Sequence, residues 1–296
     1  MYLSHFGLTD RPFRPTADTP FYYPATGHEI ALARLRQALA LDEGFAVLTG
    51  ETGLGKTLLL HRLIAQTEEE QHVLFVTNAH FGTAAGLYQT LLFDFGLPYE
   101  GRSEHELRLL TTEQILRTFE SGRRVLLVMD EAQHLTPHLL EELRLLSNLE
   151  TSEAKVVQIV LAGLPMLAEM IRRPGLIALQ QRIRTRIELC PLDRHESADY
   201  VAHQIRVAGG RPEQVFSEEA LEMLARACRG VPRLLNHAAD LAMQLAAAGE
   251  MATVDAEAVA DALHDLGLPL AERDEERSAE EANGLKREAI SAKRCA

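Results

Sequence analysis

Gly50-Glu51-Thr52-Gly53-Leu54-Gly55-Lys56-Thr57 is the stretch on which the fold turns. It follows a short apolar run, Phe45-Ala46-Val47-Leu48-Thr49, and it opens a segment through Leu58 whose apolar spacing predicts a helix to about Gln66. Strand, glycine-rich turn and helix in that order are the context that makes G-x-x-x-x-G-K-[ST] a phosphate loop. Glycines let backbone N–H groups converge on phosphate oxygens, and a helix N-terminus adds positive potential. Lys56 brings a full charge to the β- and γ-phosphates, and the Thr57 hydroxyl is placed to ligate Mg²⁺. The competing reading is an ordinary glycine turn; strand, turn and helix together argue against it.

Outward from the loop, Val73–Val76, Val125–Met129, Val156–Leu161 and Ile183–Leu189 read as further strands. Helical spacing fills 28–41, 83–95 and 104–120. Strands separated by helices predict a three-layer α/β domain with a parallel sheet, here residues 28–191. The strand Val125–Met129 ends in Asp130-Glu131. Beside a phosphate loop, Asp130 would hold Mg²⁺ and Glu131 would polarise the attacking water. A carboxylate pair capping the next helix is the plainer alternative. Asp130-Glu131-Ala132-Gln133 also matches the acidic motif of two-domain helicases, but the second half of this chain offers no second sheet domain.

That second half is helical. Periodicity runs through 195–208, 217–228, 232–247 and 255–264, predicting a small all-helical domain over 192–267. Residues 268–296 are Glu-, Arg- and Ala-rich and predict a disordered charged tail. At the other end, prolines at 12, 15, 20 and 24 interleave with aromatics, predicting an extended arm over 1–27 packed on the core. In Gly230-Val231-Pro232-Arg233 the glycine and proline start a helix whose first turn presents Arg233, a charged fork suited to a γ-phosphate. Pairing with Asp240 is the alternative. Arg172, Arg173, Arg182, Arg184 and Arg186 fall within fifteen residues with no acid among them. One of them could stabilise transition-state charge in a neighbouring subunit, or the run could contact a phosphate backbone; a solvated face competes with both. His134 reads as a helix-surface residue.

Composition sets the bounds. The chain has 296 residues, room for about two domains. Its net charge of −13 argues against a surface coated for nucleic acid, though it does not report local patches. Cys190, Cys228 and Cys295 make no C-x-x-C pair, which excludes a disulfide framework and a zinc knuckle. No apolar stretch suffices for a membrane span, and the first residues carry no secretory signal, so a cytoplasmic location is expected.

The arm with Phe6, Pro12-Phe13, Phe21-Tyr22 and His28-Glu29 adds to a pattern. With the phosphate loop, Asp130-Glu131-Ala132-Gln133, Gln181-Arg182-Ile183 and Gly230-Val231-Pro232-Arg233-Leu234-Leu235-Asn236, it resembles the ExeA-type (general secretion pathway A) AAA+ ATPases over about residues 5–266. It is similar also to the TnsC- and TniB-type transposition ATPases and to origin-recognition ATPases. The resemblance implies a P-loop NTPase core with a helical lid, and ATP bound with Mg²⁺ between subunits of a ring or filament. By position, Lys56 and Thr57 match Walker A, Asp130 and Glu131 Walker B, Arg233 the sensor 2 arginine, and Arg182 an arginine finger, with Arg184 or Arg186 as fallbacks. Those relatives carry a polar γ-phosphate reader after the fourth strand, where this chain has Leu164. The expected function is an ATPase that drives or licenses a partner assembly. The alternatives are a duplex-DNA-bound transposition regulator using Arg172, Arg173, Arg184 and Arg186, and an ATP sensor with little hydrolysis.

Overall fold

The computed structural model describes residues 2–14, 19–67, 71–150 and 155–269. They form two compact units, one of Pro15–Pro191 and one of Met1–Arg14 with the chain from Leu192 onward.

In the first unit five parallel strands, β1 (Phe45–Gly50), β2 (Gln71–Val76), β3 (Arg124–Met129), β4 (Val157–Gly163) and β5 (Ile183–Leu189), lie in the order β2-β3-β4-β1-β5. β1 and β4, central in the order, are buried along their whole length, the pattern of a strand covered on both faces. β5, at one edge, alternates Ile183, Ile187 and Leu189 inward against Arg184, Arg186 and Glu188 outward, as its sequence predicts. The helix Thr26–Ala40 starts two residues before the predicted point.

Sequence periodicity did not single out the helix Pro137–Leu146. Its signal lies at its start: Thr136 accepts from the Leu139 N–H and Pro137 occupies the first turn. The helix carries Glu142, buried, which accepts from Tyr88 Oη at 2.6 Å and from Arg108 Nη2 at 2.6 Å. One carboxylate therefore ties the helices Ala84–Asp94, Glu104–Glu120 and Pro137–Leu146 together. A buried charge with two donors meets the condition under which burial is tolerated.

The segment 1–27, expected as one arm on the core, is divided. Its first fourteen residues belong to the helical unit, where Tyr2–His5 is a short helix. The reason is a distant partner. Asp240, buried on the helix Pro232–Ala248, accepts from Tyr2 Oη, from Arg11 Nη2 at 2.6 Å and from Gln244 Nε2 at 2.8 Å. Thr9 N and Oγ1 both donate to Ala208 O at 2.9 Å, and Phe13 packs edge-on against Phe216. Tyr22 stays with the α/β unit: its hydroxyl donates to Glu29 at 2.7 Å, and the Arg62 guanidinium lies over its ring at 4.2 Å. The predicted tail over 268–296 falls almost wholly outside the described residues.

Within the helical unit, Arg194–Val207, Glu218–Ala227, Pro232–Ala248 and Ala256–Asp265 are the longer helices. Gly230 precedes the third with φ +73°. A Cβ there would lie 1.9 Å from the Leu192 carbonyl oxygen, whose residue's N–H in turn donates to Gly230 O. No side chain fits. Gly230→Ala is expected to cost about 3 kcal/mol or more in urea unfolding. Gly122→Ala, also at positive φ but with nothing within 4 Å, should cost only about 1 kcal/mol.

Candidate functional site

β1, β3 and β4 run in the same direction, so their carboxyl ends open on one edge of the sheet, the edge where parallel α/β sheets hold ligands. β1 ends at Gly50, where a Cβ would press 2.9 Å from Leu189 O on β5. The turn that follows reaches Gly53 at φ +85° and Gly55 at φ +91°, conformations that glycine adopts without penalty. Gly55 caps the helix Lys56–Ala65 with no side-chain acceptor for the first-turn N–H groups. Those donors point outward at the positive end of the helix, the arrangement that binds phosphate.

Lys56 is buried, and its Nζ donates to Gly50 O at 2.8 Å and to Glu51 O at 3.0 Å. The ammonium is curled inside the loop. His28, buried on the helix Thr26–Ala40, holds the loop from behind: its Nε2 lies 2.8 Å from Leu54 O, and a Cβ on Gly55 would touch it at 3.4 Å. Sequence reading used His28 only as a mark of resemblance; its place at the loop was not visible there.

Thr57 Oγ1 donates to Asp130 Oδ2 at 2.5 Å, joining the start of the loop helix to the end of β3. Asp130 is 3% exposed, and its Oδ1 accepts from the Glu131 N–H at 2.9 Å. A half-buried hydroxyl beside a buried carboxylate at the phosphate loop is a hard-oxygen donor set that fits Mg²⁺. Glu131 sits at φ +52°, ψ 35°, a left-handed conformation rarely adopted outside glycine, Asn and Asp. Its carboxylate Oε2 accepts from Gln133 Nε2 at 2.5 Å. Lys56, Thr57, Asp130 and Glu131 are thus gathered at one edge.

The arginines fall elsewhere. Arg182 is partly buried just before β5. Glu141 is held below its ordinary carboxylate range chiefly by Arg144, with Arg182 adding to it, and Glu150 chiefly by Lys155, again with Arg182 adding. Arg182 therefore lies in the field of two acids of its own chain. Arg172, Arg173, Arg184 and Arg186 are exposed. Arg233 is exposed in the first turn of Pro232–Ala248, in the helical unit. The alternative partner considered for it, Asp240, is taken up by Tyr2, Arg11 and Gln244. Leu164, after β4, donates its backbone N–H to Gln133 Oε1 at 3.1 Å. His134 is exposed, its ring edge-on to His80.

Residues 40–171 match the AAA domain family. Over 244 residues, 82% of this chain, the sequence is 38% identical to General secretion pathway protein A of Aeromonas hydrophila. The match covers 44% of that protein, so the chain spans under half of that relative's length. An uncharacterised HTH-type transcriptional regulator of Methanocaldococcus jannaschii is 26% identical over 36% of this chain and 27% of its own length. Among solved structures, Cdc6p of Pyrobaculum aerophilum aligns with TM-score 0.71 at 18% identity, covering 87% of this chain and 71% of that one. The ORC2 protein of Aeropyrum pernix aligns with TM-score 0.67 at 16% identity, covering 91% and 74%. The fold is that of an AAA+ P-loop NTPase, an ATPase architecture, and the resemblance to the general secretion A proteins stands. No helix among the described residues is long and apolar enough to cross a membrane.

The backbone at Glu131 makes a prediction independent of any ligand. Glu131→Gly removes left-handed strain worth about 1–2 kcal/mol, roughly offsetting the entropy glycine loses on folding. Urea unfolding should show stability unchanged or slightly raised. The same change at Glu113, inside the helix Glu104–Glu120, should cost about 1 kcal/mol.

Proposed function

We propose that this AAA-domain chain binds Mg-ATP and hydrolyses it to ADP and phosphate, using the cycle to drive or license a partner assembly. The observation that carries this reading is the Thr57–Asp130 hydrogen bond at the mouth of a loop that encloses Lys56. Backbone N–H groups at the start of Lys56–Ala65 grip the phosphates, with Gly50, Glu51, Thr52, Gly53, Leu54, Gly55 and Leu58 shaping the cradle. The Lys56 ammonium neutralises the β- and γ-phosphates. Thr57 and Asp130 would hold Mg²⁺, which when bound supplies further neutralising charge on the phosphate oxygens. Glu131 accepts a proton from, and orients, the water that attacks the γ-phosphate in line.

Charge building up on the transferring group needs cations besides Lys56. We assign Arg233 to the same subunit's nucleotide, and an arginine around β5, Arg182 first and Arg184 or Arg186 next, to a neighbouring subunit's. Such a ring or filament would complete its sites between copies. Activity is placed in the cytoplasm, with an unidentified protein assembly as partner, a role supported by the likeness to General secretion pathway protein A.

A second reading has its own support. Arg172, Arg173, Arg184 and Arg186 are all exposed, a small basic surface on an acidic chain suited to a duplex backbone. It predicts ATP-dependent DNA binding that weakens steeply with salt. A third, an ATP sensor that hydrolyses little, rests on Leu164.

Phosphate release and nucleotide affinity test the primary reading. Lys56→Ala should lose tight ATP binding, by about a hundredfold or more. Glu131→Gln should bind ATP as the wild type does yet release phosphate at least about a hundredfold more slowly. Unchanged release in that variant would remove Glu131 from the role of base, and a wild type that binds ATP without turning it over selects the sensor.

A further inference from the structure

The end of β4 offers no polar side chain of its own: Ala162, Gly163 and Leu164 occupy it. A polar group nevertheless stands there, delivered from the β3 side. Gln133 lies in the short 3-10 turn Ala132–His134 and spans the gap with both ends of its amide. Its Oε1 accepts from the Leu164 backbone N–H at 3.1 Å, and its Nε2 donates to Glu131 Oε2 at 2.5 Å. The backbone donor fixes which way the amide points. An N–H cannot be met by the Nε2 face, so the oxygen must face β4 and the NH₂ must face the carboxylate.

Gly163 is shaped for this amide. A Cβ on Gly163 would sit 2.6 Å from Gln133 Oε1, inside the contact limit, and at 3.2 Å from both Gln133 N and Leu167 Cδ2. Only a residue without a side chain lets Gln133 reach the β4 end. The arrangement spans three pieces of chain, and each contributes an element without which the link fails: the Gly163 gap, the Leu164 N–H and the Gln133 amide.

We infer that Gln133 is a positioning residue for Glu131, holding its carboxylate against the end of β4 and supplying from β3 the polar link that Leu164 cannot make. The inference rests on the ATPase reading and names a residue that acts through Glu131, without touching nucleotide.

Three variants test it: Gln133→Ala, Gly163→Ala and the two combined. Turnover, KM, ATP affinity and amide hydrogen exchange are measured on each, with thermal unfolding as a check on the fold. Gln133→Ala should lower kcat by about tenfold or more while ATP affinity and KM stay within about twofold. The Leu164 amide, deprived of its acceptor, should exchange about tenfold faster. Gly163→Ala, which displaces the amide without removing it, should reproduce the kcat loss. The double variant should be no slower than either single one, because the methyl's one prohibitive contact, with the amide oxygen, is then gone and only the 3.2 Å contacts with the residue-133 backbone and Leu167 remain. Losses that multiply in the double variant, or a Gln133→Ala protein with wild-type kcat, would overturn the inference while leaving the ATPase reading intact. A wild type without ATP turnover overturns both.

Discussion

One hydrogen bond organises the molecule's business end. Thr57, in the first turn of the helix that follows β1, and Asp130, just past the end of β3, meet at 2.5 Å although β4 lies between β1 and β3 in the sheet. The meeting requires three strands to end level on one edge, which only a parallel register with helices returning each strand to its start provides. The continuous burial of β1 and β4 and the buried Glu142 that binds three helices serve that alignment. A slip of one residue between β3 and β4 would turn every side chain of the moved strand to the opposite face.

Much of this was legible in the chain because it is local. The loop Gly50–Thr57 needs only its own glycines and the helix it opens, and Asp130-Glu131 announces itself by following an apolar strand. β5 was legible for another reason: an edge strand has one wet face, so its alternation shows. What sequence could not show depends on distant partners. The arm over 1–27 reads as one piece, but Tyr2 and Arg11 answer to Asp240, more than 220 residues away, while Tyr22 answers to Glu29 seven residues on. That Leu164 brings no polar side chain to the end of β4 shows in the sequence itself. That Gln133 fills the place depends on which turn packs against which strand end, and no local pattern encodes that.

The motif around Arg233 separates into parts with different causes. Gly230 is demanded by the Leu192 carbonyl and Pro232 by the first turn of a helix, both structural needs. Arg233 answers to neither. A cation in the first turn opposes the helix dipole, and that turn holds no acid to offset it. Helix stability gives no account of it, and the assignment to a nucleotide's anionic group belongs to the proposal above.

The curl of Lys56 into its own loop has a kinetic corollary. Because Nζ finds acceptors on Gly50 and Glu51, the cradle keeps its shape by internal contacts and does not lean on an incoming anion for it. Under the proposed function, a departing ligand would leave a receptor ready for the next, and swapping one for another would call for a swing of one side chain with no refolding of the main chain.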